Sequence, residues 1–222
     1  MDVVAGVEFG VLGAVAGIPV AAISFSVAAT GPVRLPRRWW TGAPARPAAV
    51  AATSIVAGVG AAIPGAVLPI SPALISFWLF AVIGVGLAII DVRRRRLPHL
   101  LTGALWITSL VCFTVAAISG DTAVPLLRAI GAGIATAAFL FAIALALPGQ
   151  LGLGDIALAS GAVLTLSWIS LLAAAFGLTF WVGLQAVVVL VRHKGHPNAI
   201  YPMGPALIAG WAVAVAILGA SS

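Results

Sequence analysis

The stretch that decides the fold runs from Asp155 to Arg192, DIALASGAVLTLSWISLLAAAFGLTFWVGLQAVVVLVR. An apolar helix crosses the hydrocarbon core of a bilayer in about 20 residues. This run is too long for one crossing, and its only polar interruption is the weak one at Ser167-Trp168-Ile169-Ser170. We place a tight turn there, between two short helices. Working outward, further apolar runs of spanning length occupy residues 3–28, 48–68, 72–91, 99–119, 123–147 and 203–220. The expected fold is therefore all-α, a polytopic membrane bundle of about eight transmembrane helices.

Composition requires the same environment. The chain of 222 residues is 63% hydrophobic and only 7% charged, too few charges to cover a water-facing surface. No stretch is polar enough for a soluble domain, so residues 1–222 read as one membrane-embedded domain. Residues 1–47 supply the first helix and a basic loop, and residues 48–222 supply the helical core. The N-terminus carries Asp2 and Glu8 where a signal peptide has basic residues, and its apolar run is too long for a signal h-region. It is expected to be a span and not a cleaved leader. A lone Cys112 in an apolar run can form neither an internal disulfide nor a cysteine-rich zinc site.

The positive charges test the split at 167–170. Arg34, Arg37, Arg38 and Arg46 lie between spans one and two, Arg93 to Arg96 between three and four, and Arg192 and Lys194 between seven and eight. With eight helices, all three loops fall on one side, which the positive-inside rule makes cytoplasmic. Both termini then lie outside. A single helix over 155–192 would send the last basic loop to the opposite side. Arg128, early in span five, is the exception among the eleven basic residues. Because these charges sit between apolar runs, the net charge of +6 reports topology and contact with anionic lipid headgroups, and no nucleic-acid partner is expected. The proline-rich loop 29–47, with Trp39 and Trp40, reads as an interfacial segment.

Five acidic residues remain to be placed. Asp2, Glu8 and Asp121 belong to the outer side, Asp121 as a candidate helix cap. Asp91 closes span three, where a carboxylate meets the unfavourable end of the helix dipole. Asp155 opens span six after Gly152-Leu153-Gly154, and by itself it suits a helix N-cap. The two glycines permit backbone angles closed to other residues. Two helices separate Asp91 from Asp155, so both carboxylates return to the same membrane boundary. Ionisable groups there are costly and are by default candidates for function.

Two adjacent carboxylates hold a proton between them and titrate as a coupled pair. The ionised member can take a proton from water as it attacks a peptide carbonyl, while the protonated member donates to the carbonyl oxygen. No cofactor or metal is expected for that chemistry. His99, His193 and His196 are the only histidines, and a zinc site built from His193, His196 and one Asp is the weaker reading.

Three segments carry a resemblance. Asp91-Val92-Arg93-Arg94-Arg95-Arg96-Leu97-Pro98-His99-Leu100-Leu101-Thr102 resembles the first motif of the type IV prepilin peptidase family: an Asp, a basic stretch, then a Pro-Asn segment opening the next helix. Gly152-Leu153-Gly154-Asp155-Ile156-Ala157-Leu158 resembles its Gly-x-Gly-Asp-x-Lys-Leu motif. Tyr201-Pro202-Met203-Gly204-Pro205 resembles the Pro-x-Gly-Pro signature of its last helix. Order and helix positions agree from about residue 70 to the C-terminus.

The resemblance implies a membrane aspartic endopeptidase that removes the short basic leader of type IV prepilins and pseudopilins at the cytoplasmic face. It makes Asp91 and Asp155 the catalytic pair, with Gly152, Gly154, Pro98, Gly204 and Pro205 supporting the motifs, and it implies a pilin-like preprotein as partner. Since such leaders are basic, Arg93 to Arg96 are expected to meet lipid rather than substrate. Three departures stand out. The loop 29–47 lacks the family's paired Cys-x-x-Cys motifs, so no N-methyltransferase activity is expected. His99 replaces the usual Asn, and Ala157 replaces the usual Lys. Two other classes stay open: a transporter or channel component, and a non-catalytic assembly component of a pilus or secretion system.

Overall fold

A computed structural model describes residues 2–30, 46–95, 97–120, 122–146, 151–193 and 202–221, with side chains described as far as Val191 in the fifth of these segments and Ala220 in the last. Most of the basic loop 29–47, with Trp39 and Trp40, lies outside the described residues, as do Arg96, Asp121, Lys194, His196 and Tyr201. Among the described residues eight α-helices follow in order: α1 Val3–Thr30, α2 Pro47–Val67, α3 Pro72–Arg94, α4 His99–Ser119, α5 Val124–Ala146, α6 Leu153–Ile169, α7 Leu171–His193 and α8 Gly204–Leu218. The protein is a helical membrane bundle. Six helices are long and apolar enough to cross a bilayer, while α6 and α8 are shorter.

The break expected at 167–170 falls at Ser170, whose extended backbone separates α6 from α7. Ser170 serves both neighbours. Its N–H bonds back to the Leu166 carbonyl, and its hydroxyl accepts from the Ala173 N–H at 3.0 Å, capping α7. Arg128 completes the junction from α5. Its guanidinium donates to the carbonyls of Ser167 (2.6 Å), Trp168 (2.6 Å) and Ile169 (2.9 Å), the groups that the end of α6 leaves without helical partners. The residue that broke the charge pattern is thus a cation at the negative end of a helix dipole.

α1 and α2 form a close pair. Gly6, Gly10, Gly13 and Gly17 line the contact, and a Cβ at Gly13 would stand 2.4 Å from that of Ala61. Small residues let two backbones approach where water cannot drive association. Ser54 adds a hydrogen bond to the Ala14 carbonyl. The larger core gathers around α3, which touches α1, α2, α4, α6 and α8. Its centre is aromatic: Trp211 lies 4.9 Å from Phe80 and 6.2 Å from Phe77 between ring centroids, and Phe113 stacks on Trp168 at 4.5 Å. The Trp211 indole donates to the buried Thr165 hydroxyl at 2.8 Å, and Ser76 bonds Ser109 at 2.8 Å, so these polar groups are paired across helices, whereas the Ser167 hydroxyl and the Trp181 indole N–H are buried without a partner among the described residues.

The chain alternates between the two ends of the bundle. At one end, Arg94 donates to the carbonyls of Ala28 and Ala29 at the close of α1, and Arg93 lies over the Phe25 ring at 4.5 Å. At the other, the Asp2 N–H meets the Ala66 carbonyl, joining the start of α1 to the close of α2.

Candidate functional site

Asp91 lies one turn before the end of α3 and is only 4% exposed. Its side chain does not face its own helix end. It reaches the start of α8, where Oδ2 accepts the Gly204 N–H at 2.7 Å and the Met203 N–H also contributes. A carboxylate among the free N–H groups of a helix start is well placed. That answers why an Asp stands at the end of α3: it caps a different helix. The glycine leaves room for the carboxylate: a Cβ at Gly204 would lie 3.1 Å from Asp91 Oδ2 and 3.3 Å from the Asp91 Cβ, closer than most side-chain contacts. Exposed Pro205 occupies the first turn of α8, where no N–H is needed. The segment resembling Pro-x-Gly-Pro is therefore the partner of Asp91.

Asp155 is half-buried on the first turn of α6. Asp155 does not take the N-cap position that its residue type suits. Gly152 is the N-cap, and Asp155 is the third helical residue, reaching back to accept the Gly152 N–H at 3.2 Å. This is the backward arm of a capping box. The reason given for the glycines is corrected. Gly152 has φ −84° and ψ 148°, which any residue adopts. What Gly154 supplies is room: a Cβ there would stand 2.6 Å from the Leu97 Cβ and 3.0 Å from the Leu97 carbonyl oxygen. The start of α6 thereby rests on the Leu97-Pro98 segment that follows α3.

This packing brings the two aspartates to the same end of the bundle. The charge of Asp91 acts on Asp155, and the charge of Arg95 acts on Asp91. Arg95 ends α3 in the left-handed conformation, φ 54° and ψ 32°, with its N–H on the Asp91 carbonyl at 2.7 Å. Half-buried Pro98 is the N-cap of α4, and His99 is its first residue and exposed. Ala157 is half-buried, and its carbonyl accepts the Trp106 indole N–H at 3.1 Å. The same indole reaches the Ser160 hydroxyl at 3.2 Å, so an aromatic side chain from α4 covers the helix face two residues beyond Asp155.

Sequence reasoning missed the α8 N–H groups on Asp91, Leu97 as the seat of Gly154, and Trp106. A helix start opposite the end of α3 was the available signal for the first. The other two depend on which helices become neighbours. His193 closes α7, but its side chain and His196 lie outside the described residues, so the zinc alternative has no geometry here. Chemically, two interacting carboxylates on separate helices can exchange a proton with a water and a bound carbonyl between them. No protein-family model, no curated protein and no solved structure matches the chain.

Proposed function

We propose that this chain is a membrane-embedded aspartic endopeptidase that removes a short basic leader from pilin-like preproteins at the cytoplasmic face of the cytoplasmic membrane. The observation that carries the reading is that Asp91 and Asp155, from segments far apart in sequence, lie at one end of the bundle, near enough for the charge of Asp91 to act on Asp155. Each sits in one of the motifs resembling the prepilin peptidases, and the third motif supplies the N–H that holds Asp91. One carboxylate accepts a proton from water while that water adds to the scissile carbonyl. The other donates its proton to the carbonyl oxygen, and the tetrahedral intermediate then collapses as its nitrogen is protonated and leaves as the amine. The basic loops face the cytoplasm on this reading, both termini lie outside, and N-methylation is absent.

The experiment is co-expression with a prepilin-like preprotein, reading leader loss by mass. Asp91→Asn and Asp155→Asn each keep an acceptor oxygen for the capping bond and remove the charge. Each is expected to slow cleavage by at least about a thousandfold while the protein accumulates in the membrane. Normal cleavage by either variant would falsify the mechanism.

A second reading draws on the same hydrogen bonds. Each carboxylate also terminates a helix, as it would in a non-catalytic assembly component. Restoration of pilus or secretion assembly in a deletion strain by the double Asn variant would decide for that reading.

A further inference from the structure

A cavity of about 630 Å³ opens between α2, α3 and α8. Its walls are almost wholly apolar, with Val56, Ile63, Val85, Ile89 and Ile208 among them, and Arg93 stands at one end. From Ala52 to Ile63 the α2 wall runs about 16 Å at the helical rise per residue. We propose that this groove binds one anionic phospholipid, with an acyl chain along α2 and α3 and the headgroup phosphate on Arg93. The inference is independent of the peptidase reading.

Two observations support this occupant. First, among the described residues Arg93 is the cation that lines the groove. Its neighbour Arg94 is committed to the Ala28 and Ala29 carbonyls, while Arg93 is exposed and held over the face of Phe25, which also lines the cavity. The carboxylates at this end are turned elsewhere, Asp91 to Gly204 and Asp155 to Gly152, so the charge of Arg93 is left to an outside anion. Second, Arg93 lies in the last turn of α3, while the groove extends along α3 from Val92 to Val85, deeper in the span. A charge at the rim with apolar walls below it matches a headgroup above its chain.

The test reconstitutes the full chain in nanodiscs containing phosphatidylglycerol or phosphatidylcholine with the same diazirine-bearing acyl chain. Labelled peptides are mapped after illumination. Phosphatidylglycerol is expected to label the groove-lining segments of α2, α3 and α8 about fivefold more than phosphatidylcholine. Arg93→Gln is expected to bring the two lipids level, Arg93→Lys to keep most of the preference, and Ala212→Trp, which fills the groove, to remove labelling by both. Thermal unfolding of each variant establishes that the bundle is intact. Equal labelling by the two lipids in the wild type, a preference that survives Arg93→Gln, or a groove that neither lipid labels, as when a peptide segment fills it, would each overturn the proposal.

Discussion

The two ends of the bundle solve the same problem with opposite charges. At one end the short buried helix α6 stops, and Arg128 of α5 donates to three of its last carbonyls. At the other end the short helix α8 begins, and Asp91 of α3 accepts from its first N–H groups. In both cases a helix ends among its neighbours and borrows a charged side chain to satisfy its backbone. The difference lies in what else is present. The Arg128 junction uses one charge, matched to the carbonyls it serves. The aspartate end brings together two carboxylates, and the charge of Asp91 acts on Asp155. Capping alone does not ask for that, since a serine or threonine hydroxyl caps a helix without repulsion. On the proposed reading, the charge beyond what capping needs is what serves the chemistry.

Removing Arg128 should have the largest effect on stability. Arg128→Ala leaves three carbonyls without a donor, and hydrogen bonds to charged groups are worth about 1.5–3 kcal/mol each. We expect a loss of about 3–5 kcal/mol in reversible unfolding, with the rate of leader cleavage per folded molecule nearly unchanged. A large fall in that rate would mean that the two ends are coupled and the comparison is wrong. Asp91→Ala should cost about 1–3 kcal/mol, because it strands buried N–H groups at the start of α8. Asp91→Asn should recover most of that stability but none of the activity. Equal stability of the two variants would show that the bond to Gly204 contributes little.

Gly154→Ala tests the seat of the second carboxylate. Its Cβ meets Leu97, so a loss of about 1–2 kcal/mol is expected, together with slower cleavage as Asp155 is displaced. Leu97→Ala in the same chain should restore part of both. The smallest effect belongs to Arg95→Gly. Glycine adopts the left-handed geometry without the cost that a side chain carries there, so a gain of up to about 1 kcal/mol is expected. Cleavage should change only modestly, through loss of the charge acting on Asp91.

Much of the fold was legible because lipid imposes simple rules. Apolar runs of spanning length located seven stretches, and the positive-inside pattern required an extra turn in the longest of them, where Ser170 stands. The signal for that turn was weak in local sequence, two serines and a Trp, and strong only when the charges on either side were counted. Arg128 shows the limit of the same rule. As a topological marker it was an anomaly, because its partners are the carbonyls of a helix about 40 positions further along the chain. The glycines of the Asp155 motif show another limit. Their presence was plain, but their purpose was misjudged as backbone angle. The governing constraint was a neighbour, Leu97, whose position no local pattern encodes.

The sequence by itself determined a bundle of apolar, membrane-type helices, the number and order of the helices found among the described residues, and two aspartates at a common end. Those properties follow from hydrophobic length and charge, which are sums over short windows and need no knowledge of neighbours. Only the tertiary structure decided what each charged side chain touches: Asp91 on the start of α8, Asp155 on its own first turn, Arg128 on the close of α6, and Arg93 at the rim of an apolar groove. The physical reason is that a buried charge is satisfied by whichever helix end packs against it, and packing among helices so alike in composition is set by small residues and aromatic shapes distributed over the whole chain.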